Sequence, residues 1–250
     1  MALAALLLAA APARAQYVVA PDVVVFCEPT LRHAIEDIGA LWREETGVHA
    51  RIFTSPTWAE LEQVAHHARA DVIVGEGDAM AASAVARGLI KPETLRRLWR
   101  NRLVAATTAA AKVKAAPAAL DLAALAGKET IALEDPPTSV AGAEGKKALE
   151  ALGLWAAASS KSIGVVDTAD AAYLLRHNEV PLAVVYATDV AADPDFSITD
   201  QLPPANDEPI VYWVAEAHNA LSANSEKFAS FLGTPAAAAR AKEDGLEVLP

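Results

Sequence analysis

The chain holds 250 residues, 53% of them hydrophobic, with 21 Lys+Arg against 32 Asp+Glu for a formal net charge of −11, and it has one cysteine, Cys27. That length can bury one large core or two smaller ones. The acidic balance offers no basic footprint for nucleic acid or an anionic lipid surface, and a lone cysteine excludes an internal disulfide framework and a cysteine-based zinc site. The 59 alanines lower the cost of helix everywhere, so helix ends are read from caps and breakers rather than from propensity.

Residues 1–15 read as a cleavable signal peptide. Ala2–Ala11 is an uncharged apolar run, too short for a bilayer span, and Ala13-Arg14-Ala15 is a small-x-small cleavage site. No Lys or Arg follows Met1, a departure from the usual charged start. Export would leave a soluble periplasmic protein beginning at Gln16, with Cys27 unable to mispair within its own chain.

Val23–Phe26 is all apolar, as a buried parallel strand requires. Leu31, Ile35, Ile38, Leu41 and Trp42 then follow at helical spacing, with Thr30 as N-cap and Gly47 as stop. A strand at 48–53, a helix at 57–69, a strand at 71–74 and a helix ending at Gly88 complete βαβαβα. The pattern restarts after Asn101, with strands at 103–107, 130–133, 163–166 and 182–186 and helices at 142–152 and 169–176. The stretch 109–119 reads as a surface excursion and 191–209, rich in proline and acids, as a loop-rich return. A strand at 210–214 and a helix at 225–232 follow. This predicts two α/β lobes, each a mostly parallel sheet flanked by helices, with a ligand cleft between them. Lobe 1 takes residues 16–102 and 205–250, and lobe 2 takes 103–204.

The loops after the strands carry hydroxyls and small residues beside helix starts: Cys27–Thr30, Thr54–Thr57, Gly75–Asp78, Asp135–Gly142 and Asp167–Ala169. Helix N-termini present free N–H groups and positive dipole density, so several converging ones can hold an anion without Lys or Arg. Any single Ser or Thr there is equally explained as an N-cap; only convergence favours a site.

The stretch 26–34 followed by Leu41–Val48 resembles the start of the bacterial periplasmic molybdate-binding proteins, the solute receptors of ABC importers. Further landmarks recur in order: Ala70–Val74, Gly88–Ile90, Asn101–Val104, Asp135-Pro136, Ala141-Gly142, Lys146–Leu149, Pro181–Asp189 and Pro209–Tyr212. The resemblance implies a type II periplasmic binding fold and capture of a tetrahedral oxyanion, molybdate or tungstate. It implies delivery to an ABC permease of the inner membrane, with no cofactor, no catalysis and a monomeric receptor. Carried over by position, the ligand-binding residues are Thr30, Ser55, Ala141, Thr168 and Tyr186. Thr57 is the alternative to Ser55, because the second loop is longer by one residue and holds Pro56.

Two carboxylates depart from that pattern: Glu28, where the family has a small residue, and Glu76, in a turn that is usually Ser-Ala-Asp. They could point to solvent or cap amides. They could also face a ligand that donates hydrogen bonds, or join Asp78 and Asp135 as hard oxygen ligands of a cation or metal chelate. His66-His67 diverge on a helix and read as a solvated face. His33 lies near the cleft mouth. A hydrolase built on Cys27 would need a His and an orienting acid beside it, and no nucleophile elbow or metalloprotease helix occurs.

Overall fold

In Val23–Cys27 (β1) every residue is buried, because both of its faces are covered. Val23, Val25 and Cys27 pack into one cluster of core side chains, while Val24 and Phe26 pack into another. The computed structural model describes residues 22–108, 130–203 and 210–249. The proposed signal peptide and the excursion at 109–119 lie outside the described residues.

The first sheet has the order β11-β4-β10-β3-β1-β2. It is built from β1, Ala50–Thr54 (β2), Val72–Glu76 (β3), Arg96–Asn101 (β4), Ile210–Glu216 (β10) and Glu247–Val248 (β11). The second, β7-β6-β8-β5-β9, comprises Leu103–Thr108 (β5), Ile131–Glu134 (β6), Ser162–Val165 (β7), Leu182–Tyr186 (β8) and Phe196–Gln201 (β9). Three strands run parallel in each sheet, β2-β1-β3 and β7-β6-β8. The others pair antiparallel, so the sheets are mixed.

The first helix, Arg32–Thr46 (α1), buries Ile35, Ile38 and Trp42 on one face and stops at Gly47, which takes φ 73° and returns its N–H to Arg43. Trp42 packs on Phe228 and Phe231, with ring centroids 5.6 and 5.2 Å away. Thr30 does not cap α1: Pro29–Leu31 forms a 3-10 turn first, and Leu31 stands at the cap position. The second helix, Thr57–Ala65 (α2), ends four residues short of the expected Arg69, where His67 turns to φ 66°. Asp78–Ala86 (α3) follows β3. In the second lobe, Val140–Ala151 (α4) follows β6 and Trp155–Ser159 is α5. Thr168–Arg176 (α6) follows β7, and Ala187–Ala191 (α7) follows β8. Ser225–Phe231 (α8) and Pro235–Glu243 (α9) complete the first lobe.

Hydropathy patterning misses β4, β9, α5, α7, α9 and β11. In β4, Arg96, Arg97 and Arg100 face outward while Trp99 is buried, so the strand owes its place to pairing with β10. In the expected return loop, β9 is an edge strand held by β5. Asp71 is a structural carboxylate, accepting from the N–H groups of Val24, Leu221 and Ser222 at 2.8, 2.7 and 2.9 Å. No helix among the described residues is long and apolar enough to cross a membrane.

Candidate functional site

Parallel strands end at one edge of each sheet, so the loops after β1, β2, β3, β6, β7 and β8 gather between the two sheets. They enclose a cavity of about 560 Å³. Glu28, Thr30, Thr57, Glu76, Thr168 and Tyr186 line it. Ser55 and Ala141 are not among the lining residues; Ser55 Oγ accepts from Gln63 Nε2 at 3.2 Å.

On the lobe 1 wall the donors already have an acceptor. The Thr57 N–H and hydroxyl both donate to Glu28 Oε1, while Thr57 Oγ1 accepts from the Glu76 N–H at 2.8 Å. Glu28 is only 8% exposed. Burial pushes its carboxyl up to about 7, against the pull of the Thr57 donors. Glu76 ends β3, and before it Trp213 packs against the strand at Gly75, where a Cβ would sit 2.2 Å from Trp213 Cζ2. The indole N–H then donates to Gly77 O at 3.1 Å, and Gly77 makes the turn into α3 at φ 79°. The Glu76 carboxyl accepts from the Tyr186 hydroxyl across the cleft. Burial first, then the Glu28 charge, raises it well above the ordinary carboxylate range.

The lobe 2 wall is made of helix starts. Ser139 caps α4 by accepting from Gly142 N at 2.8 Å, and Asp167 caps α6 through Asp170 N at 2.9 Å. The amides ahead of those bonds, of Val140 and Ala141 on α4 and of Thr168 and Ala169 on α6, have no acceptor among the described residues. Beside them Glu134 ends β6; burial lifts it to about 7 although the Ser139 side chain hydrogen-bonds it.

Polar contacts close the floor between lobes. Thr30 Oγ1 lies 3.0 Å from Thr188 Oγ1 and donates to Asp189 Oδ1 at 3.4 Å. Asp189 also accepts from Tyr186 N at 2.9 Å. Burial raises Asp189 to about 6, opposed by its bonds from Tyr186, Thr168 and Thr30. Asn101, at the crossover from β4 to β5, donates to Thr188 Oγ1 at 2.9 Å and to the Tyr212 hydroxyl at 3.3 Å.

Glu134, Asp189 and Asn101 escape sequence reasoning. The last two fall within landmark stretches without a role attached, and Glu134 reads only as the residue after a strand. No third acid or His among the described residues joins Glu28 and Glu76 into a metal-holding group. Among the described residues, one such trio has ligand atoms within 4.8 Å of one another, His33, Asp37 and Asp244, and there His33 Nδ1 is 3.0 Å from Asp244 Oδ1. Asp78 pairs with Arg97 at 2.8 Å. Cys27 is fully buried, and burial first, then Glu60, pushes its thiol up, which is the setting of a packing residue rather than a nucleophile. His66 and His67 are exposed, while Trp58, 51% exposed, stands at the cleft mouth.

The family model for bacterial extracellular solute-binding proteins matches residues 23–247. The chain is similar to the molybdate-binding protein ModA of Escherichia coli strain K12, at 27% identity over 230 residues, covering 90% of this chain and 89% of that one. It is similar to ModA of Haemophilus influenzae at 24% over 217 residues, covering 86% and 85%. In fold it resembles the periplasmic molybdate-binding protein of Azotobacter vinelandii, with TM-score 0.78 and 22% identity, over 91% of this chain and 99% of that one.

Proposed function

The chain belongs to the bacterial extracellular solute-binding protein family, and from that premise we propose that it is the periplasmic receptor of an ABC importer. Its cargo is a tetrahedral oxyanion, molybdate or tungstate, which it hands to an inner-membrane permease. The observation that carries this reading is the lobe 2 wall: two helix starts whose first amides lack acceptors, with Val140 and Thr168 lining a cavity that has no Lys or Arg among its described lining residues. Relatives named for molybdate, matching nearly the whole chain, support it.

The Val140 and Thr168 amides would replace part of the anion's water, joined by the Thr30 and Tyr186 hydroxyls as these turn from Asp189 and Glu76. The dipoles of α4 and α6 would balance its charge in place of a salt bridge. That compensation has to be local, because the −11 formal charge of the chain opposes an incoming dianion. The cavity is roomy for four oxygens, so capture would draw the lobes together around the contacts at Tyr186 and Thr30. A fixed set of donors rejects sulfate because a smaller anion cannot reach all of them. The receptor acts as a monomer and carries out no chemistry on its cargo.

Calorimetry of the purified protein with molybdate, tungstate, sulfate and phosphate is the test. Heat with the first two and little with the others is expected; no heat with any of the four overturns the reading.

A further inference from the structure

A receptor for an anion has little evident use for a carboxyl group seated on its lobe 1 donors, yet Glu28 occupies that place. Its Oε1 takes both Thr57 donors, no hydrogen bond from the described residues falls on Oε2, and the residue lines the cavity. Ionised, Glu28 presents a negative charge to the anion at the wall that should attract it. Protonated on Oε2, it presents an O–H donor, and the Thr57 bonds to Oε1 remain undisturbed. We propose that Glu28 is a specificity-determining residue that receives the oxyanion only in its acid form, Oε2 donating to a ligand oxygen with a proton taken from solvent. This rests on the oxyanion reading above and deepens it: capture binds one anion and one proton together, and no bond of the anion is made or broken.

The surroundings favour the acid form. Glu28 faces Glu60 from α2, Glu76 from β3, Glu134 from β6 and Asp167 ahead of α6, with Cys27 and Tyr212 beside it. None of these is a cation, and each charge among them makes ionising Glu28 harder. Burial is the largest cause and lifts the carboxyl to about 7 against the pull of the Thr57 bonds, with the neighbouring charges acting in the same direction as burial. A neutral isostere with a permanent donor should therefore imitate the capturing state, and Gln is one.

The test is calorimetric titration of molybdate and tungstate into the full chain and into Glu28→Gln, from about pH 6 to about pH 8.5. Buffers of different ionisation heat count the protons taken up. For the native chain, affinity should fall about tenfold per pH unit above about 7, with close to one proton taken up per anion at the alkaline end. Glu28→Gln should be nearly flat over that range and, at pH 8.5, roughly thirtyfold tighter than the native chain. A flat native profile with no proton uptake overturns the proposal while leaving the receptor reading intact. So does a Gln variant that keeps the native slope, or one that folds by circular dichroism and no longer binds. If neither protein binds either anion at any pH, the receptor reading fails and this proposal with it. Should the variant fail to fold, the native proton count decides alone.

Discussion

The ligand-free protein should lose stability as pH rises from 5 to 8. Burial lifts Glu28 and Glu134 from 4.5 to about 7. Between those values the folded protein holds protons that the unfolded chain has released. Stability therefore falls as pH climbs through that window, and Glu76, raised well above the ordinary carboxylate range, carries the fall beyond it. Glu28 and Glu134 each contribute about 3 kcal/mol at 1.36 kcal/mol per unit. Because the two interact, the combined drop is about 3–6 kcal/mol, a large share of the ~5–15 kcal/mol that holds a domain folded. Asp189, raised from 3.8 to about 6, adds to the acidic half of the window. Asp193, lowered through its bonds from Arg176, works in the opposite sense only below about pH 4. Urea denaturation at unit pH intervals without ligand measures the drop, and Glu134→Gln should remove about half of it. A midpoint that is flat or rises between pH 5 and 8 would refute the assignment of these carboxyls to a dry, cation-free cleft.

Two more perturbations follow from the same packing. Gly75→Ala drives a Cβ to 2.2 Å from Trp213 Cζ2, inside a ring with no exposed surface; thermal unfolding should report a loss of about 3 kcal/mol, and an unchanged midpoint would show that the indole can move aside. Glu60→Met should stabilise by about 1–3 kcal/mol in denaturant titration, because both Glu60 oxygens are buried without a well-formed hydrogen bond among the described residues, only the Ser55 backbone pulling on the carboxyl; a destabilised variant would mean that the carboxyl satisfies a contact through water.

The alternation of apolar strands and amphipathic helices was legible because it depends on local rules. The buried run at 23–26 and the Gly47 stop each act within a few residues. Once the strands were placed, so were the loops carrying Glu28, Thr30, Ser55, Thr57, Glu76, Ala141 and Thr168, while Tyr186 entered through the family resemblance; Ser55 and Ala141 do not line the cavity. Charge-rich β4 and exposed β9 were not legible, since each is a strand only by virtue of the neighbour that pairs with it.

The sequence by itself determined which loops meet in the cleft and that its polar residues are hydroxyls and acids rather than cations. Only the tertiary structure decided where the two carboxylates point. Glu28 is held by Thr57, 29 positions away, and Glu76 by Tyr186, 110 positions away in the opposite lobe. A side chain that must find its donor on another element has no local signature, and in a buried cleft that donor governs its charge.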